Sequence, residues 1–206
     1  MLDRAPHYVV DGQHLPGRHF GAILVDPPYR FKTWNKATTV KARGSGTVHY
    51  RTMTLAEIAA VPVEKVAARD CALFVWATWP MLKSVLRVIE WWDFEYKTCA
   101  FDWAKADTSQ IDMFRDDADA TCGMGYWTRA NTEPCLLATR GRPRRLNKDV
   151  RMGIIEPRRE HSRKPDCVHK RIERLVGGPY LELFARAHRR GWTAWGDEAG
   201  KFAAAE

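Results

Sequence analysis

The run Gly21-Ala22-Ile23-Leu24-Val25 is apolar throughout and is cut short by Asp26-Pro27-Pro28-Tyr29. An apolar run of this length without polar alternation reads as a strand buried on both faces. Pro27 and Pro28 have no backbone N–H to give to a sheet, so the strand ends there in a rigid turn. Strands of this kind belong to open sheets covered by helices on both sides, and such sheets hold their ligands at the carboxyl ends of strands. The turn after Val25 is therefore the first place to look for chemistry.

The remainder of the chain alternates between strand and helix patterns. His7-Tyr8-Val9-Val10 is a strand candidate ending at Asp11-Gly12, and Thr54-Leu55-Ala56-Glu57 is a capping box that opens a short helix. Ala72-Leu73-Phe74-Val75-Trp76 reads as a second buried strand. Pro80 then starts a helix whose Met81, Leu82, Val85, Val88, Ile89 and Trp92 follow helical spacing. The segment from Phe94 to Trp103 pairs naturally with Cys135-Leu136-Leu137-Ala138-Thr139. Lys164-Pro165-Asp166 precedes a helix carrying Val168, Ile172 and Leu175 on one face, and Gly177-Gly178-Pro179 stops it. Tyr180 to Phe184 and Trp192 to Trp195 are the last two strands. This pattern predicts a mostly parallel sheet with helices on both faces, in a single domain over residues 1–206. Residues 30–50 and 104–130 lack periodicity and are read as long excursions facing a substrate.

The turn at Asp26 offers a carboxylate, one or two proline carbonyls without a partner, and the ring of Tyr29. That set suits an exocyclic amine on a flat base: the carboxylate and a carbonyl accept from the amine, and the ring stacks on the base. The formal net charge of +8 points to a polyanionic partner. The charge is concentrated between Thr139 and Arg163, which includes Arg140, Arg142, Arg144 and Arg145. A solvated loop is the other reading of that run. Five cysteines without a C-x-x-C pair argue for reduced thiols rather than a disulfide or zinc framework. No apolar stretch is long enough to span a bilayer, and Met1 to Pro6 lacks the core of a signal peptide, so a cytoplasmic protein is expected. Of nine tryptophans, Trp76 and Trp127 are expected in the core, while Trp34 lies in a polar loop.

The order GAILVDPPY (21–29), HYRTMTLAEI (49–58), LFVWAT (73–78), GYWTRANTEPCLLATRG (125–141), EPRREHSRKPD (156–166), IERLVGGPYLELFAR (172–186) and GWTAWG (191–196) resembles the MT-A70-type N6-adenine methyltransferases over most of the chain. The resemblance implies a Rossmann-like S-adenosylmethionine-dependent methyltransferase fold with permuted motif order, the catalytic turn coming early and the main cofactor strand near the C-terminus. It implies methyl transfer from S-adenosyl-L-methionine to N6 of adenine in nucleic acid, DNA preferred over RNA. The sulfonium is an activated methyl donor, so no metal is required. Asp26, Pro27, Pro28 and Tyr29 match the catalytic turn, and Asp11, Gly12, Asp26, Lys164, Arg186, Ala187, His188, Arg189, Asp197 and Glu198 match cofactor positions.

The residues support parts of this independently. No G-x-G-x-x-G phosphate loop is present, and S-adenosylmethionine carries no phosphate. Glu198, just past the last strand, stands where a ribose-binding acid stands in Rossmann-like folds. Lys164 would pair with the cofactor carboxylate; as a mere helix start it would be a poorly placed cation. Glu182 lies inside an apolar strand and needs a partner, in the cofactor site or elsewhere. His188 is otherwise a surface histidine, and His161 and Arg163 are candidates for phosphate contact rather than chemistry. Trp34, Lys36, Lys41 and Arg43 in the first long loop, with Arg140, Arg142, Arg144 and Arg145, are the candidate nucleic-acid contacts. The alternatives are an RNA enzyme, a non-catalytic binding subunit, a homodimer or partnered complex, and, with less support, a glutamine methyltransferase. The last usually carries Asn where Asp26 stands.

Overall fold

A computed structural model describes residues 9–10, 13–30, 52–105, 127–128, 130–160 and 163–202. In chain order these form β1 (Val9–Val10), β2 (Gln13–His14), β3 (Phe20–Val25), α1 (Leu55–Ala59), α2 (Val63–Val66) and β4 (Ala67–Trp76). A 3-10 turn (Trp79–Met81) leads into α3 (Leu82–Trp91), β5 (Glu95–Ala104), β6 (Thr132–Arg140) and β7 (Gly153–Ile155). The chain closes with α4 (Cys167–Leu175), β8 (Tyr180–Leu183) and β9 (Trp192–Trp195). Seven strands make one sheet in the order β7-β5-β6-β4-β3-β8-β9. All its neighbours are parallel except those of β6, which runs against both β4 and β5.

The order has a consequence for function. From β3 the chain builds β4 on one side, and it returns late to lay β8 on the other side and β9 beyond it. The β3–β8 boundary is therefore the point where the direction of winding reverses, and open α/β sheets bind ligands in the crevice at the strand carboxyl ends there. Asp26 follows β3 directly, and the segment from Phe184 to Arg189 follows β8.

Strand alternation divides the core in two. Ile23, Val25, Leu73, Val75, Leu136, Leu181 and Leu183 face Val85, Val88 and Ile89 of α3 and Ile58 of α1. Ala22, Leu24, Phe74, Trp76, Phe101 and Cys135 face Val168 and Ile172 of α4. The helix spacing read from the sequence explains both: α3 and α4 each turn one apolar stripe to the sheet. Helix α1 starts as expected, Glu57 N–H donating to Thr54 Oγ1 at 3.2 Å and Thr54 N–H to Glu57 Oε2 at 2.7 Å.

Some expectations need correcting. Val9–Val10 pairs only with Gln13–His14 and does not enter the main sheet. Pro80 sits in the 3-10 turn, one step before α3. Helix α2 and edge strand β7 are too short to show periodicity, and the sequence does not announce them. Trp76 is core, but Trp127 is fully exposed. Among the described residues, no helix is long and apolar enough to cross a membrane.

Because β3 is buried on both faces, Ile23→Ala is expected to cost about 2–5 kcal/mol through lost burial and the cavity left behind. The urea midpoint should fall accordingly without a change of slope, which equilibrium denaturation measures.

Candidate active site

Period-two geometry brings the site together. On β3 the even positions Ala22 and Leu24 face α4, and Asp26 continues that row past the strand end. Trp76 at the end of β4 and Cys135 on β6 lie on the same side, directly paired. Because β6 is reversed, its first residues, including Glu133, lie at the carboxyl edge of β4. Glu182 of β8 is paired with Leu24 and lies on that side as well.

Lys164 ties these groups. Its Nζ lies 3.0 Å from Asp26 Oδ1, 3.5 Å from Glu133 Oε2 and 5.5 Å from the Trp76 ring centre. Lys105 Nζ closes on the other oxygen of Glu133. Burial disfavours the Lys164 ammonium, but the Asp26 and Glu133 carboxylates outweigh burial and hold its pKa above the ordinary lysine value. Burial likewise disfavours ionised Glu133, and Lys164 and Lys105 overcome it, so its pKa is lowered. The result is an alternating row of acid and base, Asp26, Lys164, Glu133 and Lys105. Sequence reasoning missed Glu133. Its one signal is an acid set immediately before the apolar run Pro134-Cys135-Leu136-Leu137.

The Asp26 turn is fixed by its own backbone. Tyr29 N–H donates to Pro27 O at 2.8 Å, Met53 N–H to Pro28 O at 2.8 Å, and Arg30 N–H to Met53 O at 3.1 Å. Both proline carbonyls thus have a backbone donor, contrary to the expectation that they stand open, although each keeps a second lone pair. Tyr29 also departs from expectation. Its ring is only 7% exposed and joins the apolar cluster of Val25, Met53 and Val75, while its hydroxyl donates to Trp76 O at 3.0 Å. Burial, with Asp26 and Cys135 nearby, pushes the phenol pKa well up. In this structure Tyr29 braces the turn rather than presenting a free face to a base.

Beside the turn is a cleft lined by Leu24, Asp26, Trp76, Lys164, Glu182, Phe184, Arg186, Ala187 and Arg189, with Val168 and His169 of α4 and Phe202 completing it. Glu182 finds the partner its burial demands: His169 Nε2 lies 2.9 Å from Glu182 Oε2. His169 rests edge-on against Trp192 at 4.8 Å, and its buried Nδ1 has no hydrogen-bond partner among the described residues. Arg186 Nε lies 3.6 Å from Glu198 Oε2, and Lys201 Nζ 2.6 Å from Glu198 Oε1, which fixes this acid beside the β8 segment. Gly196 permits the approach: at φ 151, a Cβ there would meet Ala185 N and Phe184 Cα at 2.9 Å. His188 and Asp197 are exposed and do not line the cleft. Asp11, Gly12, Trp34, Lys36, Lys41, Arg43 and His161 lie outside the described residues.

The cleft wall is bolted by Asp166, a second residue that sequence reasoning missed. Arg159 and Arg163 meet its Oδ2, and Arg189 meets its Oδ1. Arg163, expected at a phosphate, also bonds Glu160 at 3.0 Å. Burial raises the Asp166 pKa, but hydrogen bonds from Arg159 and Arg189 outweigh it and bring it down to about 2.

The basic run does not act as one unit. Arg140 ends β6 opposite Cys71, at the amino edge of the parallel strands, with Nη1 donating to Glu64 O at 2.7 Å. Arg142 N–H donates to Asp70 Oδ1 at 2.7 Å, and Arg145 bridges Val176 ahead of β8. Five strand steps from Cys71 to Trp76, at about 3.3 Å each, make roughly 17 Å from this edge to the Asp26 edge. Arg140, Arg142, Arg144 and Arg145 are therefore not part of the catalytic cleft, because the reversal of β6 carries them to the far end of the sheet.

A mostly parallel sheet with its crevice at β3–β8, a carboxylate turn and an acid past the last strand define a Rossmann-like S-adenosylmethionine-dependent methyltransferase fold. The MT-A70 family model matches residues 20–198, and the chain belongs to that family. It is 31% identical over 200 residues to the type II methyltransferase M.MunI of Mycoplasma sp., covering 89% of this chain and 79% of that protein. It is 28% identical to the Arabidopsis thaliana N(6)-adenosine-methyltransferase MT-A70-like, over 87% of this chain and 24% of that one. It is 26% identical to the mouse N(6)-adenine-specific methyltransferase METTL4, over 90% and 39% respectively. The chain thus spans most of the first relative and well under half of the other two.

The acid behaviour of Asp166 is testable. Its folded pKa lies below its ordinary 3.8, so its contribution to stability is present above about 4 and is lost as pH falls towards about 2. Asp166→Asn should melt lower than the parent at pH 7, and the gap should close between pH 4 and 2, as calorimetry across pH will show.

Proposed function

We propose that this protein transfers the methyl group of S-adenosyl-L-methionine to N6 of adenine in nucleic acid, with DNA the preferred polymer. The observation that carries the reading is the Asp26 carboxylate at the β3–β8 crevice, fixed by a half-buried Lys164 that is itself held by Glu133. DNA is supported by the chain's coverage of 79% of the type II methyltransferase against 24% of the adenosine enzyme.

The cleft chemistry fits the cofactor. Leu24, Val168, Phe184 and Phe202 offer apolar surface, Glu198 beside the cleft is an acid suited to a ribose diol, and the unpartnered Nδ1 of His169 is a polar group awaiting a ligand. Asp11, Gly12, Glu182, Arg186, Ala187 and Arg189 complete the proposed cofactor set, with His188 and Asp197 at its exposed margin. When bound, S-adenosyl-L-methionine supplies an electrophilic methyl on a sulfonium.

The amine of adenine is a poor nucleophile because its lone pair is delocalised into the ring. Asp26 and the second lone pair of Pro27 O accept its two N–H bonds, which localises the lone pair and offsets the positive charge that develops on nitrogen. Lys164 acts through Asp26: it fixes the carboxylate in place rather than serving first as a partner for the cofactor carboxylate. Removing it takes away the cation that stands between Asp26 and Glu133 and leaves Lys105 on Glu133 alone. The proton leaves nitrogen after transfer. The base reaches the cleft single-stranded or flipped from a duplex. Trp34, Lys36, Lys41 and Arg43 are proposed contacts to the strand around it. Free thiols at Cys71, Cys99, Cys135 and Cys167 accord with a reducing, cytoplasmic setting.

Incubation with labelled cofactor and DNA or RNA oligonucleotides, followed by nucleoside mass spectrometry, should show N6-methyladenine in DNA. Product in RNA alone overturns the polymer, and absence of methyladenine from both overturns the activity. Asp26→Ala should lower kcat on the order of a hundred- to a thousand-fold. Lys164→Ala should lower kcat by about tenfold or more while the Kd for S-adenosylhomocysteine, measured by calorimetry, changes by less. The reverse split would return Lys164 to the cofactor carboxylate.

A further inference from the structure

At the amino edge of the sheet, roughly 17 Å of strand from the Asp26 edge, the surface is strongly basic and partly prebuilt. We infer that this edge is a second nucleic-acid contact, binding the phosphate backbone of the polymer whose adenine occupies the catalytic cleft. Its cations are Lys65, Arg69, Arg142, Arg144, Arg145 and Lys148, all exposed. The inference rests on the proposed function for its ligand class, and on the amino edge alone for its geometry.

Several observations single out this cluster. The carboxylates around it are mostly engaged elsewhere: Asp93 with Arg140 at 3.5 Å, Asp149 with Arg174 at 2.6 Å and Glu95 with Lys97 at 2.6 Å. Asp70 accepts the backbone N–H of Arg142, which leaves that guanidinium outside the bond. None of the six cations has an ion pair among the described residues. Glu64, with His19, Lys65, Arg69 and Arg140, lines an open concavity on this edge.

The turn is also held in shape. Gly141 sits at φ 63, and a Cβ there would collide with Asp70 Oδ1 and the Arg69 carbonyl. Only glycine lets the chain after β6 lie this close to the start of β4, and the contact sets the backbone of Arg142 against Arg69 and Asp70. On the far side, the Arg145 bridge to Val176 and the Leu146 N–H to Leu175 O bond at 2.8 Å pin the turn to the end of α4. Guanidinium groups, with their fork of donors, suit phosphate oxygens better than lysines do. A polymer occupying the cleft at one base has phosphates to offer well beyond it: roughly 17 Å is about five base steps at 3.4 Å per base along one strand.

The test uses the full chain and fluorescence anisotropy of a labelled 40-base-pair duplex across a potassium chloride series. The parent is compared with a variant carrying Arg69→Gln, Arg142→Gln, Arg144→Gln and Arg145→Gln, and with each single substitution. Every phosphate interaction abolished should flatten the log–log salt slope by about 0.9, for any sequence. A control, Lys83→Gln with Arg87→Gln on α3, should leave the slope unchanged. The kcat/KM for a three-nucleotide single strand should stay within about twofold in the quadruple variant, since its two base steps, about 7 Å, do not reach from one edge to the other. Unchanged duplex affinity and slope in the quadruple variant overturn the inference, as does an equal loss in the control. Loss of polyglutamate binding with duplex binding intact reassigns the surface to acidic protein and also overturns it. Binding is read without turnover, so a parent that binds duplex but methylates no adenine defeats the proposed function and leaves the phosphate-binding edge standing. The single variants keep the slope readable if the quadruple variant is unstable.

Discussion

The half-buried ammonium of Lys164 is the interaction on which the Asp26 edge depends. It sits between Asp26 and Glu133, and each carboxylate comes from a different strand end. A buried charge is tolerated only when it is paired, and here the pairing also compensates two carboxylates that would otherwise repel. Lys105 continues the row by holding the far oxygen of Glu133. The segment that carries Lys164 is secured in turn by Asp166, whose three arginines come from two separate stretches of chain. Position at the site is thus transmitted from charge to charge across β3, β6 and the approaches to α4.

Topology decides which charges can take part. The reversal of β6 puts its first residues beside the carboxyl end of β4 and its last residues beside the amino end. Glu133 and Arg140, seven positions apart in one strand, therefore serve opposite edges of the molecule. The run of basic residues after β6 divides in the same way. Its first part stays at the amino edge against Asp70 and Val176, and its second part arrives at Asp166. Charge density along a sequence is a statement about composition, and only the strand direction turns it into a surface.

This explains which features were legible in the sequence. The strand before Asp26, the capping box at Thr54, the stripe on α3 and the antiparallel pairing of β5 with β6 arise from local periodicity and punctuation, and they stand in the structure. Asp26 and Lys164 were legible as site residues because each breaks a local expectation, a carboxylate ending a buried strand and a cation ahead of a helix. Glu133, Asp166 and His169 break no such rule. Their significance comes from partners 31 positions away for Glu133, up to 23 for Asp166 and 13 for His169, through contacts that period and propensity do not encode. The reversed role of the arginines at 140–145 has the same origin, since no local signal announces that β6 runs backwards between two parallel strands.

Tyr29 shows how a motif residue can be functional without touching a substrate. Its ring fills the apolar layer with Val25, Met53 and Val75, and its hydroxyl reaches the last carbonyl of β4. Its N–H closes the turn onto Pro27, and the neighbouring Pro28 carbonyl takes Met53. Four constraints thus act within three residues, just after the carboxylate proposed to meet an amine in one orientation. Electrostatic stabilisation of a developing charge is effective only where the acceptors are already fixed, because reorganising them during reaction would consume the gain. A buried tyrosine provides that fixity in a way an exposed, base-stacking ring does not. The aromatic ring and the prolines are then parts of one device: the prolines end the strand, the ring anchors the turn to the core, and Asp26 is left at the crevice with Lys164 as its brace.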